Sequence, residues 1–155
     1  MDNKHEILTL LRSVAAGDTK PEDALNTLKI SPFEDLGYAK VDFHRSIRQG
    51  AAEVIYGAGK TAQQISGILT AMTARGAHNI LVTRLDSEKA DYISKSAHVD
   101  YHEDAHLAIV NPMEIPHLGH IVVATGGTSD ISVAEEAALT AETLGNQVTR
   151  LYDVG

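Results

Sequence analysis

The 155-residue chain contains no cysteine, which excludes a disulfide framework and any thiol nucleophile among these residues. Basic residues are in the minority. Thirteen Lys and Arg face 21 Asp and Glu, for a net charge of −8. That sign argues against nucleic acid as the main partner, because phosphate backbones are met by basic surfaces. An acidic surface of mixed charge is also an ordinary route to solubility, so the −8 points to no particular partner. No apolar run approaches the roughly 20 residues of a membrane-spanning helix. Residues 1–6 are charged and polar, unlike a signal peptide. The expectation is a cytoplasmic protein with no membrane partner. Internal repeats and low-complexity tracts are also missing. What is present is an apolar fraction of 43%, ordinary for a globular protein and enough for one domain or a domain plus a further piece.

The order of apolar patterns predicts an α/β fold. Ile7, Leu8, Leu11 and Val14 recur at helical spacing and Gly17 stands at the expected C-cap. Thr19 and Glu22 have capping-box spacing, with Pro21 in the first turn of a second short helix. Together they form a helical hairpin. Ser31, Pro32 and Gly37 punctuate the next stretch, and residues 40–49 are ambiguous. An apolar run at 54–56 meets Gly57 and Gly59, and the stripe Ala62, Ile65, Leu69, Met72 predicts a helix stopped by Gly76. Short strands are expected at 80–82 and 107–110, with a helix over 88–96 capped by Asp86 or Ser87. The alternation predicts a sheet with parallel connections. Residues 113–118 read as a linker between an N-terminal domain, 1–112, and a second unit, 119–155. That unit is a β-α-β: a strand at 121–124, a glycine-rich turn at 125–130, a helix over 133–144 ended by Gly145, and a strand at 148–152.

Two turns carry candidate chemistry. Gly57-Ala58-Gly59-Lys60-Thr61 follows a strand and opens a helix, so its N–H groups and the helix dipole favour a phosphate or carboxylate. It is not a nucleotide-triphosphatase loop: that pattern needs a glycine five residues before Gly59, where Val54 stands. The glycines also suit a plain strand-to-helix turn. Arg45 and Arg48 lie three apart just before it, placed either to clamp phosphates or to form a solvated pair. The second turn is Thr125-Gly126-Gly127-Thr128-Ser129-Asp130. Its hydroxyls and carboxylate either cap the helix after it or orient a phosphate and set Asp130 beside a reacting ring. His98, His102 and His106 are four apart, a spacing that on a helix could ligate zinc or nickel. A polar exposed stretch is the plainer reading, and no metal ligands are assigned.

Several of these segments resemble one family. Asp42, Arg45, Arg48, Gly50 and the block Glu53-Val54-Ile55-Tyr56-Gly57-Ala58-Gly59-Lys60-Thr61 are similar to the signature segment of the nicotinate-dinucleotide carboxylase/hydrolase, also called pyridinium-3,5-biscarboxylic acid mononucleotide synthase. Thr83-Arg84-Leu85, Tyr101-His102, Thr125 to Asp130, Ala134-Glu135-Glu136-Ala137 and Tyr152-Asp153-Val154-Gly155 extend the resemblance over essentially the whole chain. Gly127-Thr128-Ser129-Asp130 is also similar to the Gly-Ser-x-Ser-Asp turn of phosphoribosylaminoimidazole carboxylases, where it binds the substrate phosphate.

The resemblance implies a Rossmann-like carboxylase-type second domain. It implies carboxylation by CO2 of the pyridinium ring of nicotinic acid adenine dinucleotide, with hydrolysis of the phosphoanhydride to release AMP, on the way to the nickel-pincer cofactor of lactate racemase. Mg2+ and a cysteine that adds to the ring are implied too. So is a homo-oligomer. The residues so implicated are Asp130 and Ser129 for chemistry, and Arg45, Arg48, Gly57, Gly59, Lys60, Thr61, Gly127 and Thr128 for substrate binding. The departures are Ala52 where the family has proline, and an end at Gly155 where the family continues. The expectation is that the second domain is incomplete and that this chain alone does not turn over. A nucleotide-binding module without chemistry and an aminoimidazole ribonucleotide carboxylase or mutase are the rival readings.

Overall fold

The computed structural model describes residues 3–29, 33–42 and 53–155. The chain opens with α1 (Asn3–Ala16) and α2 (Pro21–Lys29), the expected hairpin, with Gly17 at φ +82° between them. The expected Thr19–Glu22 capping box is replaced by another contact. The Thr19 and Ser13 hydroxyls pair at 2.6 Å, and the helix begins at Pro21. A small antiparallel hairpin comes next, β1 (Phe33–Asp35) and β2 (Lys40–Asp42).

The main sheet has the order β3-β4-β6-β5, from β3 (Val54–Tyr56), β4 (Ile80–Thr83), β5 (Val99–His102) and β6 (Leu107–Val110). Only part of it is parallel. β3 and β4 run parallel through α3 (Ala62–Ala74), whereas β4–β6 and β5–β6 are antiparallel. Four residues, 103–106, join β5 to β6, far too few for a parallel crossover. The expected sheet with parallel connections is therefore corrected to a mixed one.

α3 forms because Thr61 and Gln64 close a capping box. Gln64 N donates to Thr61 Oγ1 at 3.2 Å, and Thr61 N donates to Gln64 Oε1 at 3.0 Å. Gly76 at φ +79° ends it. Asp86 caps α4 (Ser87–Ser94), accepting from Lys89 N at 2.8 Å. The faces of α3 and α4 bury Ile65, Ile68, Leu69, Met72, Ala90 and Ile93 against Ile55, Ile80, Val82 and Val110.

The last unit is β7 (Gly119–Ala124), a 3-10 turn at Thr128–Asp130, α5 (Ile131–Thr143) and β8 (Asn146–Leu151), with β7 and β8 parallel. Its helix does two jobs. α5 lies on its own two strands, and Leu139 also packs with Leu81, Ala105 and Leu107 on the far face of the main sheet. β4 is thereby buried on both sides at all four positions, which is why residues 80–82 are an unbroken apolar run. Residues 111–118 carry no regular structure, and Asn79 anchors them by a reciprocal pair with the Met113 backbone at 2.9 and 2.7 Å.

Candidate functional site

The 57–61 turn lies at the carboxyl ends of the parallel strands β3 and β4, the edge at which open α/β sheets bind ligands. The fold itself accounts for most of it. Gly57 N donates to Thr83 O at 2.7 Å. A Cβ at Gly57 would stand 2.8 Å from that same carbonyl and 3.3 Å from Arg84 O, so only glycine fits. Gly59 adopts φ +79°. Lys60 Nζ folds back onto Tyr56 O at 3.0 Å, and Thr61 is occupied by the capping box. Two of the expected phosphate ligands thus have structural duties. Arg45 and Arg48 lie outside the described residues.

The 125–130 turn lies at the carboxyl end of β7 and is built differently. Its base is fixed: Thr125 is buried, its N–H donates to Leu151 O at 3.0 Å, and its hydroxyl accepts from Asp153 N at 3.1 Å. At its tip Asp130 N donates to Gly127 O at 3.2 Å and Gly155 lies against the Gly126 backbone, but the side chains are uncommitted. Gly126 and Gly127 have no left-handed φ, and a Cβ at either would meet nothing within 4 Å. Thr128, Ser129 and Asp130 are exposed. Neither Gly127, ahead of the 3-10 turn, nor Asp130, ahead of α5, makes a side-chain cap. The capping alternative is therefore not what these side chains do. Ser129 Oγ lies 3.5 Å from Asp130 Oδ1, a loose contact.

Arg84, to which sequence reasoning gave no role, links the first turn to the helix that follows the second. Its carbonyl flanks Gly57, and its Nη2 lies 3.5 Å from Glu136 Oε2 on α5. Its left-handed φ of +53° had no sequence signal. Near it, Tyr101 donates its hydroxyl to Leu85 O at 3.0 Å. Burial, then the charges of Glu103, Asp86 and Asp91, push the Tyr101 phenol above its ordinary range.

The three histidines do not share a helical face. His102 is in β5, 3.3 Å from Asp100, and His106 sits at φ +49° in the hairpin turn. Among the described residues no group of three or more His, Asp or Glu could hold a metal ion, and no helix is long and apolar enough to cross a membrane.

The fold and these turns define a mixed α/β protein with candidate anion-handling loops at the carboxyl ends of parallel strands. Residues 33–112 match the family described as LarB/PurE-like N-terminal domain, and the chain belongs to that family. Membership groups it with LarB-type and PurE-like proteins. It is also 28% identical over 154 residues to an uncharacterized protein of Methanocaldococcus jannaschii. That match covers 94% of this chain and 60% of the relative, so the chain spans about three-fifths of the relative's length.

Proposed function

We propose that the whole gene product carboxylates the pyridinium ring of nicotinic acid adenine dinucleotide and hydrolyses its phosphoanhydride. The balanced reaction converts dinucleotide, CO2 and water into pyridinium-3,5-biscarboxylic acid mononucleotide and AMP. A carbon–carbon bond replaces a ring C–H, whose proton leaves, and water divides the P–O–P bridge. The observation that carries this reading is the 125–130 turn. It has two glycines that the fold does not require and three exposed polar side chains that cap nothing. Open glycines let a ligand approach the backbone, and Thr128, Ser129 and the N–H groups there suit a phosphate. The Asp130 carboxylate stands ready to take the ring proton.

Mg2+ fits this donor set in one way. It binds through one or two carboxylates plus substrate phosphates rather than in an all-protein cage, and Asp130 offers one exposed carboxylate. When bound, it would neutralise charge on the diphosphate. These residues hold no cysteine, so they supply no thiol for covalent addition to the ring. The chain by itself is accordingly proposed to bind the dinucleotide and not to carboxylate it. The assembly is proposed to be a homo-oligomer in the cytoplasm.

The test is mass spectrometry of the whole gene product incubated with the dinucleotide, labelled bicarbonate and Mg2+. Labelled mononucleotide and AMP are expected. Asp130→Asn should keep dinucleotide binding and lose at least roughly 100-fold in product, within the usual range for removing a positioned acid or base. Binding without any product from the whole gene product would leave a nucleotide-binding module instead.

A further inference from the structure

We propose that Arg84 is an anion-binding residue that exchanges its contact with Glu136 for a phosphate of the bound ligand, with Glu136 holding its place when the site is empty. The inference rests on the dinucleotide reading above only for the name of the ligand.

Five non-glycine residues among those described have a positive φ: Asn79, Arg84, His106, Asn111 and Asp153. Asn, Asp and His are the types that tolerate this region, so four of the five are ordinary. Arg84 is the exception. Asn79 and Asn111 are also tied by side-chain hydrogen bonds to the Met113 and Ala77 backbone. Among the described residues the Arg84 side chain, by contrast, makes one monodentate contact of 3.5 Å, and it is 48% exposed. A pair of that kind contributes little and does not explain a strained backbone. Arg150 shows what a structural arginine looks like in this chain: it engages two carboxylates at 2.6–3.2 Å.

The location gives Arg84 its use. Its carbonyl abuts Gly57 at the end of β3, and its guanidinium reaches the second turn of α5, the helix that Asp130 precedes. An anion arriving where Glu136 now meets the guanidinium would find a planar donor able to bind it bidentately, a stronger pairing than the single contact it replaces. Glu136 then competes with the ligand for the same guanidinium.

Calorimetry with nicotinic acid adenine dinucleotide and, separately, inorganic pyrophosphate tests this. Arg84→Gln should weaken binding at least tenfold, and Arg84→Lys by less, since it keeps the charge and loses the fork. Glu136→Gln should tighten binding two- to fivefold by freeing Arg84. In the double variant that tightening should vanish, because competition needs Arg84. If the pair were merely structural, both single variants would lower the melting temperature and neither would tighten binding. Tightening that persists in the double variant would mean simple charge removal, and would overturn the exchange. So would unchanged affinity in Arg84→Gln with the melting curve intact, or no binding of either anion by the unaltered chain. The expected pattern with pyrophosphate but no binding of the dinucleotide would uphold Arg84 and sink the substrate reading. Dinucleotide binding indifferent to both variants would do the reverse.

Discussion

Arg150 holds Glu142 by both ends, Nη1 and Nη2 donating to its two oxygens at 2.6 and 2.9 Å. Its Nε meets both oxygens of Glu135 at 3.1 and 3.2 Å. Glu135 and Glu142 are seven residues apart, two turns along one face of α5, so one guanidinium ties β8 to two levels of the helix. Those hydrogen bonds raise the Arg150 pKa well beyond its already high value, Glu142 being the larger cause. Arg150→Met should leave two half-buried carboxylates side by side without a cation. The arginine is about one-third exposed, so the loss is discounted to about 1–2 kcal/mol. A fall in melting temperature of roughly 2–8 °C would report it, shrinking at high salt. An unchanged melting temperature would mean the network contributes nothing net.

The two glycine-rich turns should separate under alanine substitution. Gly57→Ala drives a Cβ into the Thr83 carbonyl and should cost roughly 1–3 kcal/mol, the range for overpacking. Gly59→Ala meets open space but is strained at φ +79°, at about 1–2 kcal/mol. Gly127→Ala has neither problem, so its melting temperature should stay within a degree or so of the parent while dinucleotide affinity falls. Chemical denaturation and calorimetry on the three variants check this. A Gly127→Ala protein that binds normally would remove the turn from the site.

The same contrast shows what the sequence could reveal. The helices and buried strands were legible because apolar residues repeat with the period of each element: Ile65, Leu69 and Met72 on α3, and Ile80 to Val82 on β4. Thr61 was legible as a special position but its job was not. Thr61-x-x-Gln64 is a capping-box pattern, and the glycines beside it drew attention to phosphate instead. The β5–β6 hairpin was missed because the Val-Asp-Tyr-His alternation of 99–102 is only four residues long and lies inside the His98, His102, His106 spacing, which also suits a helix. Leu139 covering Leu81 joins residues far apart in the chain, and no local signal encodes that. Arg84 was out of reach for a related reason, since a left-handed arginine has no sequence signature.

Tyr101 should make stability depend on alkaline pH. Burial first, then nearby carboxylates, disfavour the phenolate in the folded chain, so the folded pKa lies above the ordinary value of 10.0. The contribution is therefore fully present below pH 10. It drains away as pH rises from there through the raised folded value, because the unfolded state releases its proton first. Tyr101→Phe should flatten that part of the stability curve. At neutral pH it should cost about 1 kcal/mol, as the Leu85 carbonyl loses its donor. Denaturant melts from about pH 7 to 11 on both proteins decide it, and parallel curves would show that Tyr101 is not the group responsible.

The β7–β8 sheet has one covered face and one bare one. Arg150 and Asn146 turn toward α5, each bonded to it, and by register so do Ile121 and Val123. His120, Val122, Ala124, Gln147, Thr149 and Leu151 therefore share the opposite face, where His120 and Thr149 meet at 2.8 Å. Val122 is 57% exposed and Leu151 45%, and parallel sheets ordinarily bury both faces. Among the described residues each of the two strands pairs only with the other, leaving two open edges. A second copy of this chain can cover that surface, so light scattering should show mass that rises with concentration. Val122→Lys places a charge on the bare face without touching the α5 side, and should shift the protein to monomer with α5 intact by circular dichroism. A parent chain that stays monomeric at every concentration, with strongly protected amides at Val122 and Leu151, would show that the two-stranded sheet is sufficient by itself and end this account of its surface.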